Sequence, residues 1–232
     1  MMNDFVEKKK KWVFDTRRRL LKMSIPSQNR FKKLLDQANV FYVKEEPSFK
    51  IHVPNVCFMD FFIPYFQLDI EIDGRQHRYE DRFDKDISKA EFLWGSRIAT
   101  LHLTNDEVKV MKEIDLEELW ERVPETQRRE IETIKKNQKE GWKLFYSRHG
   151  ISLEMPVWLY SKENKRIYRF DNILLLQRSV HYSEQKVYDV LKGENKSNFL
   201  ISFDEEEMKE QRKQSLNAMA RAHRLKDGEK MH

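Results

Sequence analysis

The chain has 232 residues, 36% charged and 39% hydrophobic, with a formal net charge of +5 and one cysteine. That length buries one good core or two small ones, the charged skin is that of a soluble protein, and no apolar run approaches the ~20 residues of a membrane span. Cys57 has no intrachain partner and the basic N-terminus lacks an apolar h-region, so the reading is intracellular and reducing rather than secreted.

Charge is unevenly placed. Residues 1–33 hold eleven Lys/Arg against Asp4, Glu7 and Asp15, whereas residues 57–86 hold eight acids against four bases. An acidic centre with basic ends suits an enzyme that gathers cations centrally and holds a polyanion around them. A basic helix is expected over residues 5–23, with Lys8–Lys11 and Arg17–Arg19 facing outward, either as a solvated surface or as phosphate contacts. Ser27 is the expected N-cap of a helix over residues 28–39 whose inner face is Phe31, Leu34, Leu35 and Ala38. Val40–Val43 reads as a short strand and Glu45-Glu46-Pro47 as a turn, with Ile51–Val53 as a further extended piece.

The stretch CFMDFFIPYFQLDIEIDGRQH, residues 57–77, organises the rest. Strands are expected over 56–63 and 66–73, joined at Pro64. In the second, Phe66, Leu68, Ile70 and Ile72 take one face and Gln67, Asp69, Glu71 and Asp73 the other. Neighbouring carboxylates on that face stand about 6–7 Å apart. A turn centred on Pro64–Tyr65 sets Asp60 opposite Asp69–Glu71, where facing Cβ atoms are about 4.5–5.5 Å apart. An uncompensated carboxylate there costs several kcal/mol or protonates. A hard cation such as Mg²⁺ resolves the conflict, and a water-exposed face with Asp60 paired to an arginine is the alternative. His77, beyond Gly74, is placed to turn back as an acid or base; His102 is a second imidazole, in either a core or a phosphate-facing position.

Further on, a helix is expected over 84–94 with Gly95 as its C-cap, then a strand over Arg97–Leu103, then a helix capped by Thr104 or Asn105. Helix, strands, helix, strand and helix over residues 25–115 make one compact α/β domain. Residues 116–140 read as a helical linker. Trp142–Tyr146, Pro156–Tyr160 and Arg166–Phe170 read as the aromatic strands of a small β-rich module over 141–193, within which 172–190 pairs a strand with a helix. Residues 194–232 are a basic tail whose helix starts at a Ser202-x-x-Glu205 capping box and ends near Lys226.

Asp60, then Glu71-Ile72-Asp73-Gly74-x-x-His77, then Asp84, a helix, Gly95 and LHLTNDEV resemble the very-short-patch-repair branch of the PD-(D/E)xK nucleases, which includes phage homing endonucleases with a Glu–Asp–His–Asp site. The resemblance covers residues 24–110. It implies an α/β nuclease core with a central mixed sheet flanked by helices, and Mg²⁺- or Mn²⁺-dependent cleavage of double-stranded DNA at a specific site in a bacterial or phage-infected cytoplasm. It assigns Asp60, Glu71 and Asp73 to the metal and His77 and Asp84 to catalysis. The superfamily's ExK lysine falls at Asp73, and Gln28 stands where the family tends to carry a helix Glu, which makes a non-catalytic DNA-binding protein on a decayed nuclease fold one alternative; a mismatch or repair nicking enzyme, needing no long recognition site, is the other. MKEQRKQSLNAMARAHRL resembles the basic helices appended to homing endonucleases, a solvated amphipathic helix being the alternative. Lys9, Lys10, Arg17, Arg18, Arg75, Arg212, Lys213, Arg221 and Arg224 are the expected DNA contacts.

Overall fold

The computed structural model describes residues 2–23, 25–49, 56–73, 88–180, 182–194 and 197–228. The chain divides into two compact units, Met1–Lys135 and Lys136–His232. In the first, α1 (Met2–Leu20) and α2 (Pro26–Gln37) precede β1 (Val43–Phe49), β2 (Val56–Ile63) and β3 (Leu68–Asp73). A helix over residues 88–94 (α3) then leads to β4 (Ala99–Thr104), α4 (Asn105–Val110), α5 (Leu116–Glu121) and α6 (Glu125–Arg148). The result is an α/β fold with a mixed four-stranded sheet in the order β1-β2-β3-β4, antiparallel except for the parallel β3–β4 pair.

Hydrophobic patterning accounts for the layers. Leu68, Ile70 and Ile72 alternate along β3 and pack with Phe61, Ile63, Leu101 and Leu103 against Phe31, Leu35, Val108 and Trp120. A second cluster joins Met59 and Phe62 to Phe92, Leu93 and Ile98. β2 is thus buried on both sides, which is why it reads Phe61-Phe62-Ile63 without a polar break. Thr104 caps α4 through a full capping box with Glu107, as its position predicts.

Several elements differ from expectation. Glu45-Glu46-Pro47 lies inside β1, not in a turn; β1 is a sheet edge, where proline's missing N–H is tolerated. α2 starts two residues earlier than Ser27 would cap it: Ile25 is the boundary and Pro26, with φ preset, takes the first turn. The residue with positive φ after α3 is Arg97 (φ 59), not Gly95. Residues 116–135 are no linker, because Leu119, Trp120, Val123 and Ile131 belong to the first core, and the units divide inside α6.

The second unit continues α6 through Trp142–Tyr146, expected as a strand. Gly141 does not stop the helix; Gly150 does, at φ 68 with Ile151 N–H donating back to Tyr146 O. β5 (Val157–Ser161), β6 (Arg166–Phe170) and β7 (Phe199–Ser202) form an antiparallel sheet in the order β6-β5-β7. Residues 172–190 hold two helices, α7 (Ile173–Ser179) and α8 (Glu184–Leu191), in place of a strand and a helix. α9 (Glu205–Gly228) is capped by Asp204, whose Oδ1 accepts from Glu206 and Glu207 N–H, rather than by Ser202.

Phe61 tests the first core directly. It is fully buried, with ring centroids of Phe31 and Tyr42 at 5.1 and 5.8 Å. Phe61→Ala is expected to cost about 3–5 kcal/mol by chemical denaturation; a loss below about 1 kcal/mol would mean that this core is not continuous.

Candidate active site

The site lies where β2 and β3 stop pairing through their backbones. The antiparallel register runs Ile63↔Leu68, Phe62↔Asp69 and Phe61↔Ile70; one step further, Asp60 faces Glu71, as the hairpin arithmetic expects. There the ladder is carried by side chains. Asp60 N–H donates to Glu71 Oε1 at 3.2 Å, and Ile72 N–H donates to Asp60 Oδ2 at 3.0 Å. Each carboxylate stands in for a carbonyl, so the strands part while their N–H groups stay satisfied.

Lys89 of α3 supplies the cation. Its ammonium donates to Glu71 Oε1 at 2.5 Å and to Phe58 O at 2.6 Å, and lies 3.9 Å from Asp69 Oδ2. Gln28 of α2, buried, donates a side-chain hydrogen bond to Asp60. Glu45 of β1, one step beyond Lys44↔Phe61 in the β1–β2 register, faces Asp60 from the other side.

Burial sets the electrostatics. It pushes Glu45 up to about 7, with the Asp60 charge adding to the effect. It pushes Asp60 up to about 6, with Glu71 adding and the Ile72 N–H opposing. Asp69 is wholly buried and held well above the ordinary carboxylate range by that burial and by Glu71. Burial acts the same way on Glu71, but a hydrogen bond from Asp69 and the Lys89 ammonium outweigh it and hold Glu71 low. On strict geometry, neither Asp69 oxygen has a donor in reach among the described residues. The two facts agree if Asp69 keeps its own proton and presents it to Glu71, since two charged oxygens cannot share a bond without one. The Glu71 charge, and after it Asp69, overcomes burial to raise Lys89, so the ammonium stays charged.

The structure brings Asp60, Glu71 and Gln28 together. It does not bring in Asp73, whose Oδ2 is 3.0 Å from Nδ1 of His102 on β4. That contact fixes the ring orientation and makes an Asp–His dyad, half exposed, on the same β3 face as Glu71. His77, Asp84 and Arg75 lie outside the described residues. Sequence reasoning missed Glu45 and Lys89 as members, and it placed Asp69 on the acidic face opposite Asp60 without giving it a role. Lys89 shares the i, i+3, i+4 face of α3 with Phe92 and Leu93, a face that becomes recognisable as the inner one only because those two pack under β2.

The basic candidates divide. Arg17 is held inward, donating to Glu45 O at 2.9 Å and Lys44 O at 2.8 Å, so it anchors β1 instead of facing a polyanion. Lys10 pairs with Glu7, and Lys213 lies 3.7 Å from Glu210. Lys9 is half-buried, and Arg18 and Arg212 are exposed. Arg221 and Arg224 are in α9, with side chains outside the described set. Residues 1–135 hold 25 Lys/Arg and 25 Asp/Glu, whereas 136–232 hold 19 against 14, so the whole net charge belongs to the second unit.

No family model, curated protein or solved structure matches the chain.

The raised carboxyls give a pH dependence of known sign. A carboxyl raised by folding contributes stability in full below its unfolded value and loses it as pH rises through the folded one. Glu45 and Asp60 go from ordinary values of 4.5 and 3.8 to about 7 and about 6. The metal-free protein is therefore expected to lose melting temperature between about pH 4 and pH 7, each proton being worth about 1.4 kcal/mol per pH unit. Lys89→Met should steepen the fall, since breaking a buried pair costs about 3–5 kcal/mol. Thermal melts in chelator buffer decide; a rise over that range would contradict the arrangement.

Proposed function

We propose that this protein is a metal-dependent, site-specific DNA endonuclease of the homing type, built on a PD-(D/E)xK core of the very-short-patch-repair branch. The observation that carries the reading is the carboxylate-bridged gap between β2 and β3. Two acids interrupt a central ladder, two more lie beside them, and one ammonium stands against the group. The order of helix, three strands, helix and strand around a mixed sheet is the one expected from the resemblance.

The donor set fits the implied Mg²⁺, with Mn²⁺ as a substitute. Every candidate ligand atom is a carboxyl oxygen, and Asp60, Asp69 and Glu71 gather against the one Lys89 ammonium, a hard donor set short of positive charge. Asp60 and Glu71 would hold the ion. Bound there, it would polarise a phosphodiester and lower the pKa of a coordinated water. Lys89 holds positive charge on the Glu71 side of the gap, the part the superfamily's missing ExK lysine would play at Asp73. Asp73 orients His102, which stands beside Glu71 in the β3–β4 register and can hold or pass a proton there. The net positive charge of residues 136–232, with Arg212 and Lys213 exposed on α9, supports double-stranded DNA as the polyanion.

Gln28 favours one second reading. It donates an amide hydrogen to Asp60 where the resemblance expects a carboxylate. That substitution removes a potential oxygen anion from the site, as in a DNA-binding protein that has lost turnover.

Incubation of duplex DNA libraries with the full chain in Mg²⁺ or Mn²⁺ distinguishes the two. Cleavage is expected, lowered on the order of 10²-fold or more by Asp60→Asn, with Gln28→Glu equal to or faster than the parent. Intact DNA under every condition, together with salt-dependent DNA binding, would leave the non-catalytic reading in its place.

A further inference from the structure

A folded chain seldom leaves tryptophan in water, because the ring carries a large apolar area. Four of the five tryptophans here are buried or half-buried, but Trp12 of α1 is 54% exposed. The helix is anchored without it. Val13 is buried, and Arg17, one turn further on, grips the carbonyls of Lys44 and Glu45, so that side of α1 is fixed against β1. The Trp12 ring is left at the rim, with the Phe58 ring tilted against it at 6.3 Å between centroids.

That rim borders the candidate site. Phe58 lies two residues from Asp60 on β2, and its carbonyl accepts from the same Lys89 ammonium that holds Glu71. Helix periodicity gathers charge around the ring. Lys8, four residues before Trp12, and Arg19, seven after it, share its side of α1, and Lys11 is adjacent. These three are exposed, as is Asp15 beside them, so cations outnumber acids there. Phe14, also exposed, lies about 200° round the helix and belongs to another surface. A solvated basic helix accounts for the cations but not for the ring. A nucleic acid accounts for both, since its phosphates meet the cations and the flat face of a base meets the indole.

We propose that Trp12 is a DNA contact that stacks on a nucleobase beside the phosphate to be cut, with Lys11 and Arg19 on the flanking phosphates. This rests on the DNA-cleavage reading given above, and it names the element that holds the strand at the site. A fully stacked duplex offers no free base face, so the contact requires an opened base step. The ring therefore favours DNA whose step opens at little cost.

Anisotropy of short fluorescein-labelled duplexes, intact or nicked at the centre, tests this with the full chain in chelator and again in Ca²⁺. The parent should bind the nicked duplex several-fold more tightly than the intact one, since a nick frees a step. Trp12→Ala should weaken binding to the nicked duplex about tenfold and abolish the preference, with Mn²⁺ affinity as in the parent. Trp12→Tyr should keep the preference. Trp12→Leu, which retains an apolar contact with Phe58 but has no ring to stack, should lose it. Lys11→Ala should weaken both duplexes alike and lower the salt slope by about one. Equal behaviour of Trp12→Leu and Trp12→Tyr would make the ring a packing residue and overturn the proposal. Unchanged DNA binding by Trp12→Ala would also overturn it; loss of self-association in sedimentation by that variant would then assign the ring to a second copy of the chain. A parent that binds neither duplex removes the DNA reading and the proposal together, whereas a parent that binds both equally removes the proposal alone.

Discussion

Two carboxylates stand where two carbonyls would complete a central antiparallel ladder, and most of the first unit is arranged to keep them there. Asp60 and Glu71 each accept a backbone N–H from the opposite strand, so the sheet opens without leaving a donor unpaired. Removing two acids from water carries an effective penalty of several kcal/mol per ion, and mutual attraction to one ammonium offsets only part of it. The remainder appears as retained protons: burial above all holds Glu45, Asp60 and Asp69 up, while Lys89 and the Asp69 proton let Glu71 alone ionise readily.

Such a site must be held from outside itself. Lys135, buried, donates to the carbonyls of Pro64 and Tyr65 and so fixes the hairpin turn that sets the register of Asp60 against Glu71. Arg17 does the equivalent for the β1 side. Below the gap, Phe61 and Ile70 sit in the main core; α3 brings Phe92 and Leu93 to the second cluster and Lys89 to the acids with the same face. Apolar packing of α3 and charge compensation are therefore one event, which explains why a short helix can carry the site's cation.

The hairpin was legible because two rules agree there: period-2 alternation fixed the faces of β3, and Pro64 fixed the register. Gln28 was legible as a site residue by position on α2. What the sequence hid follows from where each rule stops. Glu45-Glu46-Pro47 carries turn chemistry, and only tertiary support from Arg17 makes it strand. The α3 window mixes Lys89, Ala90, Glu91, Phe92 and Leu93, so its inner face emerges only once the cores on β2 are known. Asp73 had the right alternation but the wrong neighbour: β4 runs parallel beside β3 and presents His102, and a strand's own pattern says nothing of what the next strand brings. Trp142–Tyr146 has strand-forming aromatics, yet a helix of 24 residues runs through it and stops only at Gly150, which takes positive φ.

The parallel β3–β4 pair bears on the proposed chemistry in one more way. Register sets Glu71 beside His102 and Asp73 beside Thr104, so the His102 ring is reached diagonally by Asp73 while Glu71 stays with Asp60 and Lys89. The acids at 71 and 73 share a face at a spacing of about 6–7 Å that the strand rise dictates. Both are half-buried, one among carboxyls and the other beside an imidazole. On the nuclease reading, that spacing divides the labour: the Asp60–Glu71 pair holds the cation, and the Asp73–His102 dyad handles protons. Neither function then competes for the other's carboxylate, and the separation is a property of the β-strand repeat rather than of any loop.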